Sequence, residues 1–105
     1  MAAVSNLVVL KPQPGRLEAF MRDVAKVDKI IKRLGGKLRA WNEVSGPNPG
    51  TVALVVEFSD WKDFGNYMAK READTELQAF IAEVISSKSP NAEIVATGLN
   101  VEVPS

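Results

Sequence analysis

The spacing of apolar positions changes repeatedly along this chain, and each change marks an element. Leu7-Val8-Val9-Leu10 is a short apolar run closed by the turn formers Lys11-Pro12-Gln13-Pro14-Gly15, and it predicts a first strand. From Arg16 the spacing becomes helical. Leu17, Phe20, Met21, Val24, Val27, Ile31 and Leu34 form one apolar stripe, with Arg22, Asp23, Lys26, Lys29 and Lys32 on the other side. Lys32 and Arg33 suit the negative end of that helix, and Gly35-Gly36 allows a left-handed stop. Residues 37–45 then alternate as a strand, with Leu38, Ala40, Asn42 and Val44 on one side and Lys37, Arg39, Trp41 and Glu43 on the other. Gly46-Pro47-Asn48-Pro49-Gly50 suits a hairpin loop. Asp60, with Asp63 three positions on, predicts the N-cap of a second helix carrying Trp61, Phe64, Tyr67 and Met68. A further helix from about Thr75 to Ser86 puts Leu77, Phe80, Ile81, Val84 and Ile85 on its buried side, and residues 87–91 break it. Glu93 to Val103 closes the chain as a strand weakened by Gly98.

The order is β-α-β-β-α-β, with the second helical segment in two pieces. It predicts an α+β, ferredoxin-like fold in one domain over residues 1–105: a four-stranded antiparallel sheet with helices on one face. The strand Thr51 to Phe58 is mainly apolar on both faces, whereas a half-exposed antiparallel strand would alternate. Val52, Leu54, Val56 and Phe58 point one way, Ala53 and Val55 the other. The chain's own helices can cover only one face, so the other is expected to meet a second copy. Pairing two such faces would bury on the order of 1,600 Å². The expectation is a homodimer, sheet against sheet, with Arg39, Trp41, Glu43, Val55 and Glu57 in the interface. Arg39 and Glu57 read either as an ion pair beside a tryptophan anchor or as a polar set orienting an acidic or phenolic compound.

Composition removes several chemistries. Acidic and basic side chains balance at 13 each with no block of like charge, so neither a nucleic-acid partner nor a polybasic membrane surface is expected. An RNA-binding sheet would share the element order, but the third strand lacks the aromatic pair that stacks bases. With no cysteine, disulfides, thiolate metal sites and cysteine nucleophiles are excluded. With no histidine, the commonest general base, metal ligand and haem ligand are gone too. No metal set, phosphate loop or nucleophile elbow is visible, so no cofactor is expected. Residues 1–6 lack a basic secretory n-region, and no apolar run approaches the roughly 20 residues of a membrane span. A soluble, cytoplasmic protein is the expectation.

Four residues are candidate ligand contacts: Asn6, Asn42, Phe64 and Tyr67. Asn6, a poor strand former at a strand's start, reads as a hydrogen-bond donor in a cleft between sheet and helices, or as a strand-end cap. Asn42 lies on the Leu38 side of its strand and could share that cleft, or mark a bulge or edge. Tyr67 reads as core or as a ligand contact, with Gly65 making room for a close neighbour. Phe64 and Trp61 read also as anchors of their helix. The carboxylates Glu72, Asp74 and Glu76 sit where negative charge favours the next helix.

With these elements in place, the chain resembles the dimeric α+β barrel superfamily of antibiotic-biosynthesis-type monooxygenases, NIPSNAP-like proteins and stress-responsive barrel proteins. The resemblance rests on the element order, the strand starting at Asn6, Pro14-Gly15 before the first helix, and the stretch Phe58-Ser59-Asp60-Trp61-Lys62-Asp63-Phe64-Gly65-Asn66-Tyr67. In the haem-degrading branch, Asn6 would match a first-strand asparagine and Tyr67 would stand where a tryptophan is usual. The axial histidine has no counterpart. The resemblance therefore implies a cofactor-independent monooxygenase or isomerase acting on an aromatic or polyketide-like compound, whose own phenolate could supply electron density. The alternative is a non-catalytic dimeric module of stress-response or assembly type.

Overall fold

The two-faced apolar segment forms β3 (Val52–Phe58), and the rest of the sheet is built around it and β1 (Val4–Pro12). The computed structural model describes residues 2–88 and 90–104, without the side chains of Ile85 and Ser86. Its remaining elements are α1 (Leu17–Arg33), β2 (Leu38–Asn42), α2 (Trp61–Ala73), α3 (Thr75–Ser86) and β4 (Ala92–Val101). The sheet order is β2-β3-β1-β4, antiparallel throughout, which is the ferredoxin-like arrangement.

Register fixes which residues share a face. Val4, Asn6, Val8 and Leu10 stand opposite Phe58, Val56, Leu54 and Val52, while Leu38, Ala40 and Asn42 stand opposite Val56, Leu54 and Val52. This face meets the helices, because Val4, Val56 and Phe58 cluster with Ile30, Ile31 and Leu34 of the first helical segment, Tyr67 of α2 and Leu77 of α3. The other face carries Leu7, Val9, Ala53, Val55, Arg39, Trp41 and Glu57, and among the described residues no helix covers it.

Local chemistry sets the element ends. Asp60 caps α2 by accepting from the Asp63 N–H at 2.9 Å, and Asp74 caps α3 by accepting from the Leu77 N–H at 2.8 Å. Gly35 follows α1 at φ +91°, a conformation that glycine adopts without strain. Gly36 sits against the core: a Cβ there would lie 2.8 Å from Ile31 Cγ2 and 3.1 Å from Tyr67 Cε1.

Several sequence expectations need correction. β1 runs on through Lys11 and Pro12, which pair with β4 after β3 has ended. That leaves one side of β1 free, the setting in which a sheet tolerates proline. β2 stops at Asn42, so Val44 is 84% exposed and packs nowhere. Glu43, expected in the interface, turns into the hairpin loop, where its carboxylate accepts from the Asn48 N–H at 2.6 Å. β4 ends at Val101, and Val103 is exposed. Leu17, Met21 and Val84, expected on buried stripes, are exposed. Gly65 makes room for nothing, since a Cβ there would have no neighbour within 4 Å. The Ile85 side chain, expected to be buried, lies outside the described residues.

Candidate functional site

The space between sheet and helices is filled unequally. At one end, eight buried residues including Phe58, Tyr67 and Leu77 form a continuous cluster. At the other, Phe20, Val24 and Val52 are the buried residues that cluster, among those described. Two recesses open beside that smaller cluster. One, of about 520 Å³, lies between the β1–α1 loop and the β2–β3 hairpin, with Pro14, Leu17, Met21, Asn42 and Val52 in its wall. The other, of about 110 Å³, runs under α1 towards α3 and β4, walled by Phe20, Val24, Leu54 and Phe80. Lys26 lies 5.1 Å from the Phe80 ring centre, in cation–π range.

A polar chain borders the smaller recess. Asn91, just before β4, donates through Nδ2 to Asp23 Oδ2 at 2.8 Å. Arg16 Nη1 donates to Asn91 Oδ1 at 3.3 Å, and the Asn91 backbone carbonyl accepts from the Gln13 N–H at 2.8 Å. Asn91 thus ties the β1–α1 loop, α1 and β4 together. Asp23 and Asn91 also line a more polar recess of about 120 Å³ that shares Phe80 and Val84 with the apolar one.

The four expected ligand residues do not converge on these recesses. Asn42 reaches the larger one. Tyr67 is only 6% exposed and packs against Phe58 with ring centres 4.8 Å apart. Burial pushes its phenol above the ordinary value, with Arg71 pulling the other way, so it stays protonated at neutral pH. Phe64 meets Phe58 and Trp61 edge-on. Asn6 faces the helices opposite Val56, at the filled end. Of the expected interface residues, Arg39, Trp41, Val55 and Glu57 share the uncovered face, and Trp41 is 61% exposed. Arg39 stands opposite Val55, not Glu57, and the described ion pairs do not join it to Glu57. The two instead border a common recess of about 360 Å³.

The sequence pattern singles out neither Asp23 nor Asn91. By helical period Asp23 belongs with the charged side of α1, yet it flanks the stripe, three residues after Phe20 and one before Val24. That flanking position was the only signal. Asn91 is 68 residues away and lies in a segment that reads only as the break after a helix.

No protein-family profile matches the chain, and no curated protein is similar to it in sequence. Solved structures are similar in fold. A NIPSNAP family protein from Agrobacterium tumefaciens matches with a TM-score of 0.72 at 17% identity, over 100% of this chain and 94% of that one. An uncharacterised NIPSNAP domain protein from Burkholderia xenovorans gives 0.69 at 17% identity, over 100% and 95%. A proposed antibiotic biosynthesis monooxygenase from Bordetella bronchiseptica gives 0.62 at 18% identity, over 100% and 99%. At such identities the likeness is one of fold alone, a four-stranded antiparallel sheet with helices on one face.

Proposed function

We propose that this chain is a homodimeric small-molecule binder whose ligand, an aromatic compound, enters the under-filled end of the cleft between helices and sheet. The observation that carries this reading is the contrast within the space under the helices: an eight-residue buried cluster around Phe58 and Tyr67 fills one end, and three buried residues beside two recesses hold the other. The larger recess falls within the roughly 300–1,000 Å³ typical of ligand pockets. The dimer is supported by the uncovered face, which Leu7, Val9, Ala53 and Val55 share with an exposed Trp41. An apolar face of this extent is typically buried against a partner.

The reaction proposed is cofactor-independent oxygenation or isomerisation. A neighbour in fold is a proposed monooxygenase, which lends support at that level alone. Oxidation of an anthrone-type methylene to a carbonyl balances without an external reductant. One oxygen atom stays on carbon, and the other leaves as water with the two hydrogens. The test is oxygen uptake and ligand titration across phenols from one ring to three. Binding with uptake supports an oxygenase. Binding without uptake leaves an isomerase or the non-catalytic module, which the tight packing around Tyr67 favours. No binding at all refutes the proposal.

A further inference from the structure

We infer that the recess under α1 selects a single aromatic ring bearing one hydrogen-bond donor, a phenol or an aromatic amine, with Asp23 as the group that receives the donor. This rests on the ligand-binding reading above and narrows it to one branch of the cleft.

Size sets the first limit. About 110 Å³ is somewhat less than the engineered 150 Å³ cavity that accepts benzene, and this recess opens at one side. One ring fits between Phe20, Leu54 and Phe80, whereas fused rings do not. The adjoining polar recess, about 120 Å³, begins where Asp23 and Asn91 border both spaces. A ring held in the apolar part therefore presents its substituent to the carboxylate.

Hydrogen-bond polarity sets the second limit. A guanidinium only donates, so Arg16 fixes the Asn91 carbonyl oxygen towards itself and turns the amide nitrogen towards Asp23. That amide occupies Asp23 Oδ2. Among the described residues, Asp23 Oδ1 carries no hydrogen bond. What remains at the mouth is a carboxylate oxygen held in place and able only to accept. A ligand O–H or N–H satisfies it. A methyl group leaves it unsatisfied, and a ligand carboxylate repels it.

The experiment is fluorine NMR titration of the full chain with 4-fluorophenol, 4-fluoroaniline, 4-fluorotoluene and 4-fluorobenzoate. The expected order places phenol and aniline about tenfold or more tighter than toluene, as a hydrogen bond to a charged acceptor gives, with benzoate not binding. Asp23→Asn should bring phenol to within about threefold of toluene and admit benzoate. Asn91→Ala, which frees the carboxylate to turn away, should reduce the same preference. Val84→Trp, at the exposed rim, should abolish all four signals. Equal binding of phenol and toluene, or a preference unchanged in both Asp23→Asn and Asn91→Ala, would overturn the inference while leaving a ligand-binding cleft. Absence of binding by all four probes would overturn the inference, and the ligand-binding reading falls with it only if the two- and three-ring phenols also fail to bind.

Discussion

Two glycines show how much a single Cβ decides. At Gly36 it would press on Ile31, Tyr67 and Val56 at 2.8, 3.1 and 3.2 Å, all of them atoms of the filled core. Gly36→Ala is expected to destabilise the fold by about 1–3 kcal/mol, the usual penalty of overpacking, seen as a lower urea midpoint with an unchanged m-value. At Gly65, inside α2, the added methyl meets nothing. Gly65→Ala should therefore stabilise by about 0.5–1 kcal/mol, the ordinary gain in a helix interior. A destabilised Gly65→Ala would show that its position beside Phe64 and Tyr67 matters in a way the packing does not reveal. In the sequence Gly65 reads as the residue that makes room and Gly36 as part of a helix stop, because the crowding at Gly36 comes from three different elements.

At the scale of elements, the junction between α2 and α3 concentrates the charge. Arg33, in the last turn of α1, donates to Asp74 at 2.6 and 3.1 Å and to Glu76 at 2.9 Å, joining α1 to the start of α3. The Arg33 hydrogen bond, helped by the Leu77 N–H, holds the Asp74 carboxyl below its ordinary value against an opposing effect of desolvation. A carboxyl whose pKa is lower in the folded state stabilises fully above its unfolded value near 4, and the contribution is lost as pH falls through the lower folded value. Melting curves of the parent and Asp74→Asn should thus separate above about pH 4 and converge as the pH falls below it. The α2 cap gives a second test. Asp60→Ala should cost about 0.5–2 kcal/mol in chemical denaturation.

Elements were legible because the period of apolar residues switches between strand and helix, and the caps at Asp60 and Asp74 stand in sequence where they stand in space. The end of β2 was not legible. Val44 continues the alternation, but Glu43 hydrogen-bonds into the hairpin, and the ladder ends before it. The site was least legible of all. Asp23 reads as solvent-facing, and its partner belongs to a distant loop, so only the assembled sheet brings the two together.

As a whole molecule the protein is a slab, 42 × 36 × 18 Å. Its radius of gyration, 14.4 Å, exceeds the roughly 13 Å of a compact chain this long, as two layers with one bare side would give. Under the proposed dimer, Val55→Glu should shift sedimentation at micromolar concentration from two copies to one. Val44→Glu, an exposed position in the hairpin loop, should not. A parent that sediments as a single copy would end the dimer reading. The uneven filling of the cleft also bears on how the structure opens. Amide protons of Ile30–Leu34 and Val56–Phe58, beneath the eight-residue cluster, should exchange with deuterium only through global unfolding. Those around Phe20 and Phe80, where three buried residues do the holding, should exchange far sooner. Deuterium uptake would then run as a gradient along α1, slow at its C-terminal half and fast at its start. A small molecule lodged at the fast end would flatten that gradient, which makes uptake at Phe20 a gauge of occupancy for ligands with no optical signal.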